Sequence, residues 1–183
     1  MEYNIGKAVG LSLGIIVGLI ICIFVFKFAN KDKKILTKYD ERQQVARGKA
    51  YMYGFWAMMI ATAVVIVLDV SDIVLANRFT EGFFIIFTGI IAQISYSIFH
   101  DAYYGINTNK KRFLIVCIAA GLFNLLGVVG PIKAGTFIQD GVISDAGTNL
   151  MCVIMLFVMA VELFVKDRID SKKAVEEEAG TDI

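Results

Sequence analysis

Long apolar runs alternate with short polar ones along this chain, and each apolar run has the length of a bilayer crossing. Five blocks stand out, at about 5–28, 50–68, 79–99, 113–129 and 148–165. Roughly 20 helical residues at about 1.5 Å rise cover the ~30 Å hydrocarbon layer, so each block predicts one transmembrane helix. Asp69 and Asp72 close the second block, and Gly130, Pro131, Gly135, Gly141 and Gly147 break helical propensity between the fourth and fifth. No block carries the charged face of an interfacial helix. The expected fold is an all-α, polytopic bundle of five transmembrane helices, forming a single membrane domain over residues 1–183. Residues 166–183 read as a tail that starts helical and frays into disorder where Glu176, Glu177 and Glu178 accumulate.

Composition agrees with the pattern: 57% of the 183 residues are apolar and 19% charged, outside the usual range for a soluble domain. Charge then adds orientation. Lys and Arg number 1, 8, 1, 3, 1 and 4 in the six successive polar segments. That alternation is what the positive-inside rule requires of five spans with the amino terminus outside and the carboxyl terminus in the cytosol. The net charge of +1 therefore hides an asymmetry in which 15 of 18 basic residues face the cytosol. They cluster at helix ends, where anionic membrane lipids are the natural partner, and do not argue for nucleic acid. Tyr51, Tyr53, Phe55 and Trp56 open the second helix and Tyr96, Phe99, Tyr103 and Tyr104 close the third, as an interfacial aromatic belt does.

A cleaved signal peptide is the rival reading of the first block. No small-x-small site follows it, and the basic stretch after Phe28 resists translocation, so the block is read as a retained anchor. This helix carries Gly6, Gly10, Gly14 and Gly18, four glycines spaced by four. Residues four apart share a helical face, which here offers a groove without side chains for a second helix. Packing within the chain is the first expectation; pairing with a second copy or another membrane protein is the alternative.

The first basic segment leads through Asp40, Glu41 and Arg42 to Lys49, Ala50 and Tyr53. Asp40 with Gln43 three residues on predicts a helix cap, with the helix starting near Glu41 and running unbroken into the membrane. Asp40, Glu41 and Arg42 also form a candidate docking surface for a cytosolic partner. The Asp-Glu-Arg motif followed by Lys-Ala before an apolar helix resembles small bacterial multi-spanning membrane proteins of the DUF2178 type, over about residues 40–53. The resemblance implies a bacterial inner-membrane protein, sometimes encoded beside a small transcriptional regulator, and no particular activity.

Few polar residues fall inside the blocks. Glu162 is the notable one, since ionisable groups in lipid are costly and often functional. Lys166 lies one turn further on, which predicts a snorkelling ion pair between them. The deeper amides of Gln93 and Asn124 are expected to bond to neighbouring helices. Gln93, His100, Asp101, Asn124 and Glu162 are thus candidates for a polar vestibule open to the cytosol. His100 can titrate near neutral pH, but one His followed by one Asp is a poor metal signature, because consecutive helical residues point about 100° apart. Cys22, Cys117 and Cys152 form no disulfide or zinc spacing, and no phosphate loop, nucleophile elbow or zinc-protease motif is present. No cofactor or metal is implied.

These residues favour a non-catalytic integral membrane protein that acts by helix–helix association with itself or with a membrane partner, a regulatory role being one form of this. A small transporter or channel-like subunit working as an oligomer is the alternative, and a membrane enzyme acting near His100 is the weakest class.

Overall fold

The computed structural model describes residues 2–181. It is all-helical apart from one two-stranded hairpin: α1 Glu2–Ala29, α2 Glu41–Val70, α3 Arg78–Phe99, α4 Lys110–Lys133, β1 Ile138–Gln139, β2 Val142–Ile143 and α5 Gly147–Thr181. All five helices are long and apolar enough to cross a membrane, so this is a multi-pass membrane protein. The chain forms two compact units: Met1–Tyr39 with Gly105–Cys117, and Asp40–Tyr104 with Ile118–Ile183.

In the first unit α1 ends at the buried Ala29, and the segment after it interlocks with the segment preceding α4. Asn30, 1% exposed, donates to the Lys34 carbonyl at 2.9 Å. Asn107 accepts from the Lys38 N–H at 2.8 Å and donates to the Leu36 carbonyl and Asp32 Oδ1, both at 3.1 Å. These side-chain amides satisfy main-chain groups that no helix or sheet serves. Gly105 is required at its place, because a Cβ there would run into the Thr37 side chain and the Lys38 carbonyl oxygen. Asn109 then caps α4 through the Arg112 N–H at 3.2 Å. The Asp32 carboxyl is held below its ordinary pKa, first by the Lys34 N–H bonded to it and then by Asn107 and the nearby Lys38 and Lys34 charges.

In the second unit α3 packs against both α2 and α5. The α2–α3 crossing is closest at Gly54 and Gly89, where a Cβ on either would stand 2.9 Å from the other's carbonyl oxygen. Small residues permit such backbone approach, and with no hydrophobic drive between helices in lipid it is close van der Waals contact that holds them.

Three boundaries differ from the sequence expectation. Pro131 lies inside the last turns of α4 instead of ending it. Helix termination comes a few residues later, where Gly135 (φ 69°) donates to the Ile132 carbonyl and Thr136 to the Pro131 carbonyl, the bonding of a Schellman motif. α5 continues through the tail to Thr181, with the Lys166–Asp170 pair along its surface, so the described part of the tail is helix. The loop from Gly130 to Gly147 contains a hairpin: Asp140 and Gly141, at φ 50° and 81°, form the turn between β1 and β2.

Candidate functional site: an ion-paired helix end and a bare glycine face

Asp40 and Gln43 start α2 as the sequence predicts. Asp40 accepts from the Gln43 N–H at 2.7 Å, and the Gln43 side chain accepts from the Asp40 N–H at 3.3 Å. Gln43 also reaches beyond its own helix, where its amide nitrogen donates to the carbonyls of Asp101 at 2.8 Å and Tyr104 at 3.1 Å. The start of α2 is thereby tied to the end of α3. Glu41 is exposed in the first turn, where an acidic side chain complements the helix dipole.

Asp101 is the hub of this end. It follows the C-cap of α3 in the left-handed conformation (φ 57°), and its carboxylate receives Arg42 at 3.3 Å and Lys166 at 3.0 Å. Lys166 also bonds Asp170 at 2.7 Å, and its side chain is 14% exposed against 78% for that of Arg42. The Lys166 end of the network is therefore the less screened one. Three helices of the second unit, α2, α3 and α5, meet in it.

The expected Lys166–Glu162 pair does not form. Asp101 and Asp170 both reach the ammonium, and the tertiary contact outcompetes the same-face neighbour one turn back. Glu162 Oε2 is left buried without a hydrogen-bond partner. The other vestibule candidates are also placed differently from expectation. Asn124 donates to the Ala120 carbonyl of its own helix at 2.8 Å and not to a neighbouring helix, because the carbonyl four residues back is the nearest acceptor. The Gln93 Cβ packs at the Gly54 crossing, 3.2 Å from where a Cβ on that glycine would lie. His100 is exposed, stacked on Tyr96 with ring centroids 3.8 Å apart, and its Nδ1 donates to the Tyr96 carbonyl at 2.9 Å. Of the candidates, the structure brings Arg42 to Asp101, two residues the sequence assigned to separate groups. Among the described residues no three His, Cys, Asp or Glu side chains gather as a metal site would need.

The glycine ladder of α1 stands apart from any packing in its own unit. A Cβ built on Gly6, Gly10, Gly14 or Gly18 meets no atom of the first unit within 4 Å. The large apolar side chains flanking it, Leu13 and Val17 among them, are more than half exposed. Among the described residues, the glycine-to-glycine approach of two helices lies instead at Gly54 and Gly89. Two isolated glycines, 35 positions apart, form no pattern along the chain that would mark them in the sequence.

Comparison with protein-family models, with curated proteins and with solved structures returned no match.

Proposed function

We propose that this protein is a non-catalytic membrane module that works by helix–helix association, with a second copy of itself or with another membrane protein, through the glycine face of α1. The observation that carries this reading is the regular ladder Gly6, Gly10, Gly14 and Gly18, which nothing in its own unit fills. Between helices in lipid, attraction comes from close packing, and a face without side chains allows the closest backbone approach. Leaving such a face to lipid forgoes that contact; a partner helix supplies it. The basic segments, in the order 1, 8, 1, 3, 1 and 4, support an orientation with the amino terminus outside, and the resemblance over residues 40–53 supports a bacterial inner membrane. In that orientation the Arg42–Asp101–Lys166 network and Asp40 and Glu41 present a charged surface to the cytosol, available to pass on the state of the assembly.

Energy transfer between donor- and acceptor-labelled chains in liposomes tests the association. The wild-type chain is expected to show transfer that depends on protein-to-lipid ratio, and Gly10→Leu with Gly14→Leu to weaken association about tenfold, the loss of ~1.4 kcal/mol of packing. Transfer at the random-proximity level for the wild type, with no change in the double variant, contradicts association with a second copy and leaves another membrane protein as the partner, which crosslinking along α1 in native membranes tests.

A further inference from the structure

At the end of the second unit opposite Asp101, the hairpin folds back over the helices. Ile143 exchanges main-chain hydrogen bonds with the segment ahead of α3, donating to the Leu75 carbonyl at 3.0 Å and accepting from the Asn77 N–H at 2.9 Å. Thr80 is fully buried and donates its hydroxyl to the Ser144 carbonyl at 2.9 Å. The result is a cavity of about 290 Å³ between the end of α2, the start of α3, the hairpin strand β2 and the start of α5. Leu68, Phe84, Ile143 and Met151 make its wall apolar, and Glu81 is the single ionisable group on it among the described residues. No cation stands within ion-pair distance of Glu81 among the described residues. The volume is that of a small-molecule site, and a pocket of apolar walls with one placed charge is the usual composition of such sites.

The surrounding charge gives the sign of the ligand. This end of the unit carries Asp69, Asp72, Glu81, Asp140 and Asp145 against Arg78 and Lys133. Asp145 is engaged by the Asn77 amide, which fixes the hairpin over the start of α3. An anion would meet a repulsive field there, and a strongly hydrated inorganic cation would find one carboxylate, the Thr80 hydroxyl already bonded to Ser144, and otherwise hydrocarbon. A molecule with an apolar body and one positive charge satisfies both parts of the wall: the body displaces water from Leu68, Phe84 and Met151, and the charge neutralises Glu81.

We propose that this cavity binds a lipophilic monocation, an alkyl or aryl ammonium whose charged head rests on Glu81 and whose apolar part fills the space beside Met151. The site is independent of the glycine face of α1, so failure of one leaves the other standing.

The probe is octyltrimethylammonium, with 1-octanol as the neutral control. The full chain is reconstituted in zwitterionic lipid nanodiscs with ¹³C-methyl methionine, and the Met151 methyl resonance is assigned with Met151→Leu. The ammonium is expected to shift the Met151 methyl saturably while the methyls away from the cavity hold still. Glu81→Gln is expected to raise the dissociation constant about tenfold, and Glu81→Asp to restore most of the affinity. Unmoved resonances elsewhere show that each variant is folded. A Met151 methyl insensitive to the ammonium overturns the proposal. So does an equal dissociation constant in Glu81→Gln, or octanol binding as tightly as the ammonium, which would mark an acyl-chain pocket.

Discussion

Asp101 stands where the chain leaves α3, in a left-handed conformation that asparagine and aspartate tolerate better than most residues. That backbone turn aims the carboxylate at Arg42 and Lys166 together. Its side chain is 54% exposed, so the pairs are screened and worth on the order of 1 kcal/mol in total. Asp101→Asn keeps the backbone preference and loses the charge, and is expected to lower stability by about 1 kcal/mol in detergent at low salt and by less at high salt. Asp101→Ala is expected to cost about 1 kcal/mol more, the added strain of alanine in the left-handed region. Thermal denaturation at two ionic strengths checks both; identical midpoints for the two variants would contradict the backbone argument. At this scale the local cap of Asp40 and Gln43 was legible in the sequence, because both partners lie within one turn. The tertiary partner of Lys166 was not: Asp101 is 65 positions away, and only the fold brings it, beside the local Asp170, near enough to replace Glu162.

Helices were the most legible elements, since their length and apolar content answer directly to the bilayer thickness. Their ends were less so. Pro131 reads as a stop, yet a proline near the end of a helix removes only one hydrogen bond, and Gly135, which can take a positive φ, makes the actual termination. The Asp140–Gly141 pair was a visible hairpin signal that the surrounding glycines obscured. Packing between elements was the least legible. The conspicuous ladder in α1 has no neighbour in its unit, while the inconspicuous Gly54 and Gly89 bring α2 and α3 together. A side chain at Gly54 would strike the backbone of Gly89, and backbone cannot move aside as a flexible side chain does. Gly54→Leu is therefore expected to destabilise the second unit by about 3 kcal/mol or more, seen as loss of monodisperse protein on size-exclusion chromatography. Gly48→Leu, at an open position of the same helix, is expected to leave the elution profile unchanged.

For the molecule as a whole, the second unit has a tied end and an open end. At one end, hydrogen bonds and ion pairs join α2, α3 and α5 through Gln43 and Asp101. At the other, the hairpin and Thr80 enclose an apolar cavity with Glu81 on its wall. The first unit combines an interlocked basic loop pair with a helix whose glycine face has nothing in that unit to pack on. The proposed function, association through α1, rests on that last feature, because a face without side chains is one on which a second helix can pack closely.

Photocrosslinking along α1 in native membranes tests this most directly, since it captures a second copy and a foreign partner alike. A photoreactive residue at Val17 lies beside the Gly14–Gly18 face, and one at Ile16 lies across the helix from it; the two positions are equally exposed, at 54% and 53%. Val17 is expected to yield a discrete adduct of higher mass and Ile16 none. Adducts absent from both positions, or equal at both, would contradict association through the glycine face.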